Sequence, residues 1–280
     1  MNTKLYRFFV AVVFVLLSYG TYQAAIAAPT EETMGDAQRI FYYHVPAATA
    51  AYTLFFVNFV ASILYLWKRS PKADAWAVTG AEVGLVFATV VLVTGPIWAR
   101  YAWGKWWTWE MRLTTFLILW LLYVSYLALR RSSEGGSTPI LASALAIFAF
   151  LDVPFNYMAN RFFRGSHPPP ITLDDPRMKF ALMSTMIAFL AFAGLIAWFR
   201  YELARVEQTI NAAHIKKAAL SSAALMVLPA MFLFQAPHRT NPRDYMYAAY
   251  ILAWIIYVGY ILLLTIKVGK LKKEAAELGL

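Results

Sequence analysis

Apolar stretches recur along the chain, separated by short segments rich in Lys, Arg, Pro, Gly and aromatic residues. Each is about the length a helix needs to cross a hydrocarbon layer roughly 30 Å thick. The windows fall at 5–28, 47–67, 76–98, 113–129, 140–158, 180–198, 218–234 and 245–266. Within lipid a single segment satisfies its own backbone polar groups only as a helix, so the pattern predicts an all-α integral membrane protein, a bundle of about eight transmembrane helices. The window at 218–234 is barely long enough and contains Pro229. Without it the last helix would run the opposite way.

Composition agrees. Of 280 residues 61% are hydrophobic, 17% aromatic and only 14% charged, which excludes an ordinary soluble domain and a disordered chain. The absence of cysteine excludes disulfides, thiolate metal sites and cysteine nucleophiles. A net charge of +10 fits cationic loops beside anionic lipid rather than a nucleic-acid partner. Lys and Arg gather at and beyond the window ends, fifteen on the side of the amino terminus and ten on the other. That bias puts both termini in the cytoplasm. The first window also fits a cleavable signal peptide, with its basic start, apolar run at 8–17 and small residues Ala24, Ala25, Ala27 and Ala28; retention is the expectation.

With this topology the out-of-place polar and aromatic residues collect on the outer side. The segment Trp98-Ala99-Arg100-Tyr101-Ala102-Trp103-Gly104-Lys105-Trp106-Trp107-Thr108-Trp109-Glu110-Met111-Arg112 holds five of the ten tryptophans within twelve residues. An aromatic belt at the headgroup level is the plain account. A belt spreads over both interfaces, however, whereas these indoles sit in one loop with a glycine, cations and a carboxylate. Flat rings for stacking, Gly104 for close backbone approach and Arg100, Lys105 and Arg112 for acidic groups suit a planar amphipathic ligand. His44, in Arg39-Ile40-Phe41-Tyr42-Tyr43-His44-Val45-Pro46, and His167, in the loop after the fifth window, are also placed outside, and Pro46 is expected to mark the entry of the second helix. Singly, each reads as a solvated interfacial histidine. Flanking a tryptophan platform, two neutral imidazoles would hold a porphyrin by its iron, with cations on its propionates. His214 and His238 read as solvated.

These residues carry a resemblance. His44-Val45-Pro46, the run from Trp103 to Thr114 and the His167 loop, in that order, resemble the CcmC/CcsA tryptophan-rich family of haem-handling proteins of cytochrome c maturation, over roughly residues 1–200. The resemblance implies a bacterial inner-membrane, multi-pass protein that binds haem b at its periplasmic face and presents it to a periplasmic haem chaperone. It further implies His44 and His167 as axial ligands, with a shelf comprising Trp98, Trp103, Gly104, Trp106, Trp107, Trp109, Glu110, Arg39, Arg100, Lys105 and Arg112. ABC-type membrane and ATPase subunits are the implied partners. The family loop ends in Trp-Asp where this chain has Trp109-Glu110, and Phe162 and Phe163 stand where relatives often have tryptophan. Residues 245–280 are similar to the small single-span partner CcmD. Three parts follow: a six-span body at 1–200, an extra span and loop at 201–244, and a CcmD-like tail at 245–280.

Two acids fall inside windows and are functional candidates by default. Glu82 is expected to snorkel or pair with Lys72, and Asp152 to pair with Arg161 ahead of orienting a ligand. No phosphate-cradling loop or nucleophile elbow is present. Presentation of haem, more than catalysis, is the expected activity. Its rivals are a CcsA-like haem lyase and a transporter of haem or another solute, the latter disfavoured by the scarcity of broken helices and mid-membrane polar residues.

Overall fold

The computed structural model describes residues 3–132, 138–163, 173, 175–214 and 241–278. The described residues form eight α-helices: α1 (Thr3–Tyr22), α2 (Phe41–Lys68), α3 (Pro71–Trp103), α4 (Met111–Ser132), α5 (Thr138–Phe150), α6 (Asp152–Phe162), α7 (Pro176–His214) and α8 (Pro242–Glu277). Seven candidate spans result among them, α5 and α6 together making the one at Thr138–Ala159. The protein is thus an all-helical membrane protein, as the apolar windows predict. The window at 218–234 lies outside the described residues.

Three departures from the sequence expectation have local causes. The fifth window is broken at Leu151. Pro154 brings no N–H to the carbonyl of Phe150, and Leu151 N instead donates to Phe148 O three residues back, at 3.1 Å. Helix α2 starts at Phe41, preceded by a 3₁₀ turn over Asp36–Ile40, so Pro46 lies inside the helix rather than at its entry. Ala37, Ile40, Tyr42 and Tyr43 are all fully buried, and that packing holds the chain helical ahead of the proline. Finally, α7 runs to His214, well past the window that ends at 198.

The antiparallel pair of α2 and α3 is the spine. Its helices approach closely because Gly80 carries no side chain: a Cβ there would lie 2.6 Å from the carbonyl oxygen of Leu54. Asn58 Nδ2 donates to Ala77 O at 2.7 Å across the same contact. An aromatic core of Tyr43, Phe87, Phe189, Phe192 and Tyr257 then joins α2 and α3 to α7 and α8.

Buried ions tie the helices further. Arg200 on α7, 2% exposed, donates to Glu82 Oε2 on α3 at 2.8 Å, and Tyr260 on α8 donates to Glu82 Oε1 at 3.0 Å. The partner of Glu82 is therefore Arg200, not Lys72. Ten residues along one helix is about 15 Å, beyond the reach of a lysine side chain. At the same end of the bundle Arg130 on α4 grips Asp74 on α3 with two hydrogen bonds of 2.5 and 2.9 Å.

Candidate functional site

At the opposite end, the start of α2, the end of α3, the start of α4 and the middle of α6 surround a cleft of about 200 Å³. His44 lines it, with Val45, Ala48, Thr49 and Tyr52 from the same helix. From α3 come Gly95, Trp98 and Trp103, from the following loop Trp107, and from α4 Arg112 and Phe116. Asn156 and Tyr157 of α6 complete the lining. The walls are thus mainly apolar and aromatic, with an imidazole on one and a guanidinium among them.

The loop owes its shape to the end of α3. Gly104 caps that helix with φ 73°, a left-handed conformation that glycine adopts without Cβ strain, and its N–H donates to Arg100 O at 3.1 Å. Arg100 Nη1 donates to the Gly104 carbonyl, and the guanidinium lies over the Trp106 ring at 5.8 Å from its centroid. Trp98 and Trp103 meet edge to face at 5.2 Å and 72°, and Trp107 and Trp109 at 5.9 Å and 76°. Trp107 Nε1 is buried and has no hydrogen-bond acceptor among the described residues, so the site holds an indole donor that a ligand acceptor would satisfy. Trp109 is 73% exposed, Lys105 is exposed, and Glu110 Oε1 accepts from Thr108 Oγ1 at 3.1 Å.

The residues picked from the sequence therefore separate into groups. His44, Trp98, Trp103, Trp107 and Arg112 share the cleft, while Gly104, Lys105, Trp106, Trp109 and Glu110 form the loop beside it and Arg100 sits in the last turn of α3. Arg39 stands apart. It is 6% exposed, its Nε donates to Asp36 Oδ1 at 2.9 Å, and Nη1 and Nη2 donate at 2.8 Å to the carbonyls of Ala24 and Ala28. Those carbonyls belong to the π turn Gln23–Ala27 and the residue after it, so Arg39 caps the end of the first span. His167, Arg164 and His238 lie outside the described residues, as does the side chain of Arg161. Asp152 Oδ2 is buried and accepts no hydrogen bond from the described residues.

Four polar or small residues of the site escape a reading by motif. Tyr52 donates to Asn156 Oδ1 at 2.5 Å, and Asn156 Nδ2 reaches Arg112 O at 2.7 Å and Thr115 Oγ1 at 2.6 Å. This buried network bolts α6 to α2 and α4 beneath the cleft. Thr94 Oγ1 lies 2.9 Å from His44 Nδ1, and a Cβ on Gly95 would lie 3.3 Å from His44 Cε1. The available signal was a polar side chain in an apolar window, which for Asn156 and Thr94 is weaker than a charge.

A family profile described as "Heme exporter protein C" matches residues 1–221. The "Heme exporter protein C" of Paracoccus denitrificans (strain Pd 1222) is 32% identical over 176 residues, 61% of this chain and 72% of that protein. Its namesake in Rhodobacter capsulatus is 35% identical over 144 residues, 50% of this chain and 58% of that protein. A Marchantia polymorpha mitochondrial protein named for ccmC-like cytochrome c biosynthesis is 29% identical over 154 residues, covering 55% of this chain and 65% of that protein. The matched segment ends before α8.

Proposed function

The chain belongs to the heme exporter protein C family, and from that premise we propose that it holds haem b at the His44 cleft, on the periplasmic side of a bacterial inner membrane, and presents it to a periplasmic haem chaperone during c-type cytochrome assembly. One observation carries the reading: His44, three tryptophans and Arg112 converge on a single cleft at one end of the bundle.

The residues fit such a cargo. Imidazole is a good axial donor to haem iron; His44 supplies it from α2, and His167 is proposed as the second donor. Trp98, Trp103 and Trp107 offer apolar surface to the macrocycle. Arg112 and the unsatisfied Trp107 N–H suit propionate oxygens, with Arg100 at the end of α3 and Lys105 on the loop nearby. Arg39, already committed to carboxylate and carbonyl partners, takes no part. Pockets that engulf a ligand measure about 300–1,000 Å³. A cleft of about 200 Å³ grips only part of a porphyrin, which suits display to an acceptor more than storage.

The tail at 245–280 acts, in this reading, as a built-in counterpart of the single-span CcmD, following a body at 1–200 and a connecting part at 201–244. Support comes from its position. Helix α8 lies beyond the matched segment yet packs on α3, α7 and the 3₁₀ turn that leads into His44. Membrane and ATPase subunits of an ABC-type assembly are the proposed partners for any energised step.

The test is a spectrum of detergent-purified protein loaded with haem, beside His44→Ala and His167→Ala. Bis-imidazole bands in the parent that are lost in both variants are the expected result. Equal haem content and identical bands in all three would remove His44 and His167 as ligands.

A further inference from the structure

Thr94 and His44 face each other across the contact between α3 and α2. Thr94 Oγ1 lies 2.9 Å from His44 Nδ1 and also 2.8 Å from the carbonyl oxygen of Val90, one turn back on α3. A carbonyl can only accept, and a threonine hydroxyl has one proton to give. That proton is committed to Val90. Toward the imidazole, therefore, Thr94 is the acceptor, and Nδ1 is the ring nitrogen that carries hydrogen. A neutral ring so arranged keeps its lone pair on Nε2. Thr94 is fully buried, so water does not compete for the hydroxyl.

The neighbouring residue shapes the same contact. A Cβ on Gly95 would stand 3.3 Å from His44 Cε1 and 3.9 Å from Nδ1. The first distance is tighter than ordinary van der Waals contact, so a bare Cα gives the ring the room to lie within reach of Thr94. Two consecutive residues of α3 thus set the protonation and the placement of one imidazole on α2.

We propose that Thr94 is a positioning residue for His44: its Oγ1 selects the Nδ1–H form of the imidazole and fixes the ring's rotation, so that Nε2 is offered as the metal donor of the cleft, with Gly95 leaving the space the ring occupies. This deepens the haem reading of the cleft and rests on it. A hydrogen-bond acceptor behind a ligating histidine holds its tautomer and orientation and raises its basicity. Threonine back-bonded to its own helix is common in apolar helices, and on that account alone the side chain would be replaceable by valine, which has the same shape. The acceptor role is what valine cannot perform and serine can.

Full-length protein carrying Thr94→Val or Thr94→Ser is compared with the parent in two measurements. In the first, without haem, ¹⁵N-histidine-labelled protein in lipid bilayers is examined by solid-state NMR, the His44 signals being assigned by their loss in His44→Gln. The parent and Thr94→Ser should show hydrogen on Nδ1, and Thr94→Val should lose that preference. In the second, haem titrated into each protein should be retained about 10–100-fold less well by Thr94→Val, with shifted absorption bands, and normally by Thr94→Ser. Hydrogen on Nε2 in the parent overturns the proposal, as does a Thr94→Val protein with the parent's tautomer and haem bands. Failure of the parent itself to bind haem overturns the haem reading of the cleft, while the NMR measurement, made without haem, decides the tautomer assignment by itself.

Discussion

Tyr43 and Tyr250 stack with ring centroids 3.9 Å apart and planes 23° from parallel, so that α8 is fastened to α2 at the residue directly before His44. Two more contacts reinforce the joint: Tyr250 donates to Arg39 O at 2.8 Å, and Arg243 Nε donates to Asp36 Oδ2 at 2.7 Å. The turn that carries His44 into the cleft is therefore held from outside the matched family segment.

Tyr250→Ala should accordingly cost about 3–5 kcal/mol of stability, in the range for deleting a buried aromatic side chain, and loosen haem retention as well. Tyr250→Phe keeps the stack and loses one hydrogen bond, for roughly 0.5–1.5 kcal/mol. Thermal unfolding in detergent orders the three proteins. An alanine variant as stable as the parent would mean that α8 is not anchored through this ring.

The edge of the cleft gives a second prediction. Trp107→Phe removes an indole N–H and keeps an apolar ring, and Arg112→Ala removes the guanidinium. Hydrogen bonds to charged groups are worth about 1.5–3 kcal/mol, so each change should speed haem loss to an excess of a soluble haem scavenger by roughly tenfold or more. Haem whose propionates are esterified has no carboxylate to lose. It should leave parent and Arg112→Ala at similar rates, and a persistent difference would point to packing by Arg112 in place of charge pairing.

These residues mark how far the sequence could be read. The spans were legible because apolar length is a local property that lipid demands, and the tryptophan loop because five indoles in twelve residues stand out from any background. What was illegible depends on which helices become neighbours. Glu82 finds Arg200 at a separation of 118 residues, and nothing near Glu82 announces it. Arg39 looked like a ligand cation from its place beside His44, yet the open carbonyls of the π turn claim it. Thr94 and Asn156 are ordinary polar residues until the fold sets one behind the imidazole and the other under the cleft. The break at Leu151 lay in plain view as Pro154, but the apolar window ran straight across it.

The Glu82–Arg200 pair offers a third test. Breaking a buried ion pair leaves one charge uncompensated, at a cost of about 3–5 kcal/mol. Arg200→Met should therefore be strongly destabilising, since it strands a carboxylate whose remaining hydrogen bond among the described residues is the one from Tyr260. Glu82→Gln should be milder, because Glu207 Oε2 remains 3.5 Å from Arg200 Nη1. The double variant should lose much less than the sum of the two. A double-mutant cycle by thermal unfolding reads the coupling, and strict additivity would show that the pair does not act as a unit.

The last prediction concerns the spacing of the spine, on which the His44 to Thr94 distance depends. Gly80 lets α2 and α3 touch: a Cβ there meets Leu54 O at 2.6 Å and Asn58 N at 2.7 Å, both backbone atoms with no rotamer to yield. Gly80→Ala must therefore push the helices apart, at the roughly 1–3 kcal/mol typical of overpacking. A rigid pair prised open near its middle cannot keep a 2.9 Å contact further along, so haem retention should fall together with stability. Gly194→Ala is the matched control. Nothing among the described residues lies within 4 Å of a Cβ at that position of α7, so the substitution should be neutral or slightly stabilising through helix propensity, by up to about 1 kcal/mol. Unfolding temperature and haem occupancy are measured on both. Were Gly80→Ala to lose stability and still bind haem like the parent, the cleft would be insensitive to the α2–α3 spacing, and the hydrogen bond behind His44 could not be what sets its ligand strength.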